Sequence, residues 1–169
     1  TRNIDLSIGG GSEKSTYLVA LGYYNEEGIV NKSEADRLSL RINSNHKVKD
    51  WLKVGHNMAL STRTSTGFNT TSAQSGLIWS AIRFHPGLPV QDSNGNWGSS
   101  QISGQFGDIN NPLYEVDIAD NDNRYTRLLT NLTTEVSITK DLKLKANFGI
   151  DGSINDSRSF NPQILGQIR

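Results

Sequence analysis

The sequence predicts an all-β protein, an antiparallel up-and-down sheet of the kind that forms part of a large transmembrane β-barrel. Three observations favour this fold. Apolar and polar residues alternate with a period of two over much of the chain, which gives each strand one apolar and one polar face. Short turn-forming connections alternate with longer ones, as in outer-membrane barrels. No apolar run reaches the length of about 18 residues that a transmembrane helix needs.

The composition narrows the class of protein. The 169 residues carry no net charge, which argues against a broad electrostatic surface for nucleic acid. Only 34% of residues are hydrophobic, and the mean hydropathy is −0.50. These values are low for a self-contained globular core, but they suit a sheet with one apolar and one polar face. Because the chain has no cysteine, disulfides, thiolate zinc sites and cysteine nucleophiles are excluded.

The strands follow from the alternation, taken in chain order. The clearest case is 142–151, where the even positions are apolar and the odd positions are polar or glycine. The segment 37–43 alternates in the same way, whereas 17–24 is less regular because both of its faces carry apolar residues. The sequence predicts six strands, near 3–10, 15–24, 35–46, 51–63, 123–138 and 142–155.

One connection, 67–122, is far longer than the others. The segment 72–84 within it predicts a short helix, since Leu77, Ile78, Ala81 and Ile82 share one face at helical spacing. The segment 92–96 predicts a turn, because its Asn-Gly pair tolerates positive φ. Connections of this length are usually functional loops or disordered segments.

The chain offers little that could carry catalysis or bind a metal. The glycine run 9–11 lacks the spacing of phosphate-binding loops, so a turn is the better interpretation. Asp92, Asn94 and Asn96 have the first spacing of a calcium loop but lack its glycine and distal glutamate, which favours turn chemistry. No nucleophile and base stand in a recognisable pattern. We therefore expect no catalytic residues, no metal site, no cofactor and no enzymatic activity.

Aromatic residues supply the candidate sites. Tyr17, Tyr23, Trp51 and Tyr125 lie near predicted strand ends, where barrels place aromatic girdles at the membrane interface. Aromatic residues also cap the strands of soluble sheets, so that alternative stays open. Trp97, in the long connection, could stack on a sugar ring, although local packing is the commoner role of a loop tryptophan.

The order of several motifs resembles a known family. The segments are 9–17, 21–30, 37–43 and 51–55, then 83–90 with Asn94-Gly95, and finally 141–145 with Phe148-Gly149. Their order and spacing resemble the start of the barrel in SusC/RagA-type TonB-dependent transporters. No single segment is diagnostic, but the ordered set is fairly specific and runs through most of the chain.

The resemblance implies a fold, a role and partners. Members of this family are large barrels in the outer membrane of Gram-negative bacteria, with an N-terminal plug domain. They import oligosaccharides or peptides with energy from a TonB complex, and a SusD-like lipoprotein caps them. Residues 1–169 would then be early barrel strands without the plug and the segment that contacts TonB. The connection 67–122 would face the cell exterior, where it could touch the substrate or the lipoprotein.

A soluble glycan-binding β-sandwich is the alternative, since it shares the alternation and the loop aromatics. The two folds differ in where the apolar faces lie. A sandwich buries them between two sheets, whereas a barrel presents them to lipid on one continuous sheet.

Overall fold

The computed structural model describes residues 1–68, 76–98, 109 and 111–160. Six strands form one antiparallel sheet in which each strand pairs with its neighbours in sequence, in the order β1-β2-β3-β4-β5-β6. The strands are β1 Arg2–Gly11, β2 Ser15–Glu27, β3 Glu34–Lys49, β4 Leu52–Thr66, β5 Asp120–Ser137 and β6 Lys143–Phe160. The predicted up-and-down sheet is confirmed, and most strands extend beyond the predicted ends.

The register of the first three strands sorts their side chains into two faces. Leu21 pairs with Leu6 on β1 and with Leu40 on β3, so the three leucines form one rung of an apolar face. Ala20 pairs with Ser7 and with Arg41 on the opposite, polar face. The segment 17–24 was ambiguous from sequence because both of its faces carry apolar residues. Its neighbours assign Tyr17, Val19, Leu21 and Tyr23 to the apolar face.

The apolar face is uncovered in the part of the chain that the structure describes. The exposed fraction is 65% for Leu6, 48% for Leu21 and 58% for Leu144. The described strands all belong to the one sheet, so no second layer among them covers these residues. A sandwich would bury this face, and the sandwich alternative is therefore wrong for the described residues.

Two short helices lie between β4 and β5: α1, Leu77–Arg83, and α2, Pro112–Ile118. The predicted helix 72–84 is present as α1, while 72–75 lie outside the described residues. Its predicted single apolar face is wrong, because Leu77 is buried whereas Ile78 and Ile82 are exposed. Neither helix is long and apolar enough to cross a bilayer, and these are the helices of the described chain.

Helix α2 was not predicted. It begins at an Asn-Pro pair, in which the Asn111 side chain accepts a hydrogen bond from Leu113 N at 3.1 Å and Pro112 opens the first turn. Both are standard start signals for a helix. The seven residues that follow do not form the apolar stripe by which helices are usually found in a sequence.

The contacts divide the chain into two compact units. The first contains 1–27, 34–65 and 123–156, which form the body of the sheet. The second contains the β2–β3 connection 28–33 and the β4–β5 connection with both helices. In the second unit, Lys32 Nζ donates to the Asp117 carbonyl at 2.6 Å, which ties these two connections together.

Candidate functional site

The apolar face ends in polar rungs on both sides. At one end Asn25 pairs with Asp36, and its side-chain amide donates to the Asp36 carboxylate at 2.8 Å. At the other end Ser15 pairs with His46, and their side chains are 3.0 Å apart. The ten-residue step from Ser15 to Asn25 spans about 33 Å along the strand. A strand tilt of about 40° reduces this to a height of about 25 Å, the height of the apolar band of a transmembrane barrel.

Two of the predicted interface aromatics lie at the margins of this band. Tyr23 is one rung inside the Asn25 end, and its hydroxyl donates to Asp36 at 3.0 Å. Tyr17 is one rung inside the opposite end, where its ring lies across Gly10. A Cβ on Gly10 would lie 2.7 Å from the Tyr17 hydroxyl, so the glycine makes room for the ring. The Tyr23 hydroxyl thus lies at the polar edge of the band, whereas the Tyr17 ring extends across the neighbouring strand.

The other two predicted aromatics lie elsewhere. Trp51 is in the turn between β3 and β4, 48% exposed, with the Lys49 ammonium 5.5 Å from its ring centroid. Tyr125 lies six residues into β5, because this strand starts at Asp120 rather than at 123. Strand alternation puts Tyr125 on the polar face with Arg127. The structure therefore does not group Tyr125 with Tyr17 and Tyr23.

Polar groups on the apolar face are paired across strands. His56 interrupts this face of β4, and its Nε2 lies 2.9 Å from the Thr130 hydroxyl on β5. The Thr62 and Thr126 hydroxyls are 3.2 Å apart. The His56 ring is therefore paired with a side chain of the neighbouring strand. Such lateral hydrogen bonds lower the penalty of placing polar atoms in an apolar medium.

Charged side chains on the polar face are also paired. The Arg127 guanidinium makes two bonds to the Asp151 carboxylate on β6, at 2.9 and 2.7 Å. The Arg37 guanidinium lies 5.6 Å from the centroid of the Tyr24 ring. Arg127, Asp151 and Arg37 are all exposed. This face is therefore suited to contact with water.

In the β4–β5 connection, the segment 92–96 forms the predicted turn. Asp92 Oδ1 accepts hydrogen bonds from the backbone N–H groups of Asn94 and Asn96, both at 2.8 Å. Gly95 has a φ of 82°. The Asn96 side-chain amide, followed by the Asn96 backbone N–H, holds the pKa of Asp92 below its usual range. The calcium-like spacing is thus a turn, with the carboxylate committed to the donors of the turn itself.

Trp97 follows this turn and packs locally. It forms a bridge with Gln91, and its ring centroid lies 5.8 Å from that of Tyr114 on α2. Asn111, 4% exposed, donates to the carbonyls of Val90 and Gly98 at 3.0 and 3.2 Å. The Asn111 side chain thus caps α2 and also binds the hairpin that the Gln91–Trp97 bridge closes. Tyr114 and Asn111 were not predicted from the sequence, although the Asn-Pro pair indicates a helix start at Asn111.

The described residues contain no cluster of three or more His, Cys, Asp or Glu side chains that could hold a metal ion. The features they do present are the two-faced sheet and the hairpin that packs on α2. These features present one apolar surface, one polar surface and an aromatic pair in a loop.

No protein-family model matches the sequence. Its relatives include two proteins of Formosa agariphila named TonB-dependent receptor. One is 24% identical over 168 residues, covering 96% of this chain and 16% of the relative. The other is 26% identical over 152 residues, covering 88% of this chain and 14% of the relative. The chain therefore spans about a sixth of the length of the curated relatives that it matches.

Solved structures show the same fold. The RagAB peptide importer in its closed-closed state superposes with a TM-score of 0.68 at 23% identity, covering 93% of this chain and 18% of that one. Its open-open state gives the same TM-score. The fold and the two-faced surface define a segment of a transmembrane β-barrel. The chain is similar to one segment of proteins named TonB-dependent receptor, and it has the fold of part of the RagAB peptide importer, so the resemblance found in the sequence is confirmed.

Proposed function

We propose that the chain forms part of the wall of an outer-membrane active transporter in a Gram-negative bacterium. The observation that carries the proposal is the uncovered apolar face, bounded by polar rungs about 25 Å apart in height. In water such a face would be an aggregation surface. Against acyl chains this face loses little, and the inner strands β2 to β5 each have a strand paired on both sides, as a membrane-spanning sheet requires. The polar face would line the aqueous interior.

The cargo and partners follow from the family resemblance. The transporter would import peptides or oligosaccharides with energy from a TonB complex, and a SusD-like lipoprotein would cap it. The relatives named TonB-dependent receptor and the fold of the RagAB peptide importer support this proposal. RagAB is a peptide importer, which supports transport as the role proposed for this chain.

The proposal for the loop is that 67–122 faces the cell exterior and that Trp97 contacts the cargo there. Trp97 is half-buried, so part of its ring remains available while Tyr114 packs beside it. Replacing Trp97 with alanine should lower uptake by the whole transporter. Trp79 on α1 provides the matched control, since it is also a loop tryptophan and carries Arg83 over its ring. Equal uptake defects in both variants would indicate a folding effect instead of a cargo contact.

Accessibility of the two faces tests the membrane placement. The 169 residues contain no cysteine, so single cysteines can be introduced without removing native ones from this segment. Leu6→Cys and Ser7→Cys are neighbours on opposite faces of β1. In the membrane-embedded full-length transporter, a spin label at position 6 should be accessible to oxygen, which partitions into lipid. A label at position 7 should be accessible to a water-soluble nickel reagent. Water accessibility at position 6 would refute the proposal.

A further inference from the structure

Asn94 is the asparagine of this sequence that is followed by a glycine. It lies in the turn 92–96, at the tip of the hairpin that the Gln91–Trp97 bridge closes. The Asn94 side chain is exposed, and no hydrogen bond to another described residue holds its amide. Because Gly95 has no Cβ, no side chain obstructs the approach of its main-chain nitrogen to the asparagine side chain.

The reaction open to such a pair is deamidation through a cyclic imide. The Gly95 main-chain nitrogen loses its proton to solvent and attacks Asn94 Cγ. The N–Cγ bond forms, the Cγ–Nδ2 bond breaks, and ammonia leaves with a proton from solvent. One water then opens the ring, at Cγ to give isoaspartate or aspartate according to which of the two carbonyl carbons it attacks. One water is consumed and one ammonia is released, without oxidation or reduction.

The folded turn withholds the attacking nitrogen. The Gly95 N–H donates to the Asp92 carbonyl at 3.0 Å. The Asp92 carboxylate accepts from the Asn94 and Asn96 N–H groups, both at 2.8 Å. These bonds fix the main chain on both sides of Asn94, so the ring forms only when the turn opens. The side chain of Asp92 therefore determines how often the nitrogen is free to react.

We propose that Asn94 is a site of spontaneous deamidation, that Asp92 slows the reaction by holding the turn closed, and that the isoaspartate product opens the hairpin. In isoaspartate the main chain runs through the side-chain carbons, which adds one carbon before residue 95. The bonds from Gly95 and Asn96 to Asp92 depend on the normal spacing and would be lost.

The hairpin carries an aromatic contact that would be lost with it. The Trp97 ring centroid lies 5.8 Å from that of Tyr114 on α2, and the Gly98 N–H donates to the Val90 carbonyl at 2.9 Å. Both contacts depend on the closed hairpin, so the age of the protein would control how Trp97 is presented. The proposal concerns the loop alone and is independent of the membrane placement of the sheet.

Peptide mapping of the full-length transporter tests the reaction. The protein is incubated in mildly alkaline buffer, which favours the deprotonated nitrogen, and is then digested. Mass spectrometry with fragmentation measures aspartate and isoaspartate at each asparagine position. Asn94 should convert, with isoaspartate among its products. Asn43 is the control, because it precedes the small residue Ser44 but lies inside β3, and it should remain an amide. Conversion at Asn94 no greater than at Asn43 would overturn the proposal.

Two alanine variants test the role of Asp92. Asp92→Ala removes the carboxylate that binds the turn, and it should raise the rate of deamidation at Asn94 about tenfold, the factor that one hydrogen bond to a charged group is worth. Asp117→Ala removes an exposed carboxylate of α2 in the same connection and should leave the rate unchanged. Equal rates in the two variants would contradict the control by Asp92.

Hydrogen exchange tests the effect of the product. In a partly converted sample, peptides that carry isoaspartate are separated from those that carry asparagine, so both forms are compared under identical conditions. The isoaspartate form should lose protection at the Gly98 amide, whereas the asparagine form should retain it. Equal protection of Gly98 in the two forms would show that the hairpin stays closed and would overturn this part of the proposal.

Discussion

A charge placed on the apolar face should destabilise the barrel far more than the same charge one residue away. Leu6 belongs to the rung Leu6–Leu21–Leu40, and Leu21 lies one residue from the midpoint between the polar rungs at Ser15 and Asn25. Leu6→Lys would therefore put an ammonium group near the bilayer midplane, at a cost of about 2–4 kcal/mol. This corresponds to a roughly 30- to 700-fold loss in the folding equilibrium.

Ser7→Lys is the matched control, since Ser7 is the next residue, is exposed and lies on the polar face. Its expected effect is within about 0.5 kcal/mol. Depth provides a further check, because Ser15→Lys at the edge of the band should cost only about 0–1 kcal/mol. The assay is urea titration of the full-length transporter in lipid vesicles, with folding read from the mobility of unheated samples in a gel. If Ser7→Lys shifted the urea midpoint of unfolding as far as Leu6→Lys does, the assignment of these two residues to opposite faces would be refuted.

Two further predictions concern the hairpin in the long connection. A Cβ at position 98 would lie 1.8 Å from the Pro89 carbonyl, so Gly98→Ala should destabilise the hairpin by on the order of 1–3 kcal/mol. Hydrogen exchange at the amide of residue 98 measures this, with Gly152→Ala as the control because its Cβ would meet nothing within 4 Å. Folding lowers the pKa of Asp92. The ionised carboxylate therefore stabilises the turn fully above the unfolded-state pKa of about 3.9. This stabilisation is lost as the pH falls through the folded-state pKa, which lies lower. Protection of the Asn94 and Asn96 amides, corrected for intrinsic exchange, should therefore be constant above the unfolded-state pKa of about 3.9 and fall as the pH is lowered further, and unchanged protection would contradict the assigned role of the carboxylate.

Much of the sheet could be predicted from the sequence because its signal is local. In 142–151 one strand carries the whole alternation, so no knowledge of its neighbours was needed. The segment 17–24 shows the limit of this approach. Both of its faces are apolar enough to face lipid, and only pairing with Leu6 and Leu40 decides between them. Register describes how two strands are aligned with each other, so the alternation within a single strand does not determine it.

The candidate sites depend even more on long-range pairing. Lys53 and Glu135 are 82 positions apart in sequence, and alternation alone places each on a polar face without placing them side by side. Asn111 is a similar case, since its donations to Val90 and Gly98 depend on how a loop folds back on α2. Tyr125 was assigned from its nearness to a predicted strand end, but β5 starts at Asp120, so Tyr125 is the sixth residue of the strand. Errors of a few residues at strand ends matter most for residues whose role depends on depth.

The sheet has physical requirements on every side that the described residues do not themselves meet. Its apolar face needs an apolar medium, because leucines this exposed would drive association in water. Strands β1 and β6 are its two edges and need partner strands, because unpaired edges recruit other chains in water and are not tolerated in lipid. Its polar face needs water or polar partners for paired charges such as Arg127 and Asp151. A longer barrel in a membrane meets all three requirements together, whereas a second sheet packed on the apolar face would meet only the first.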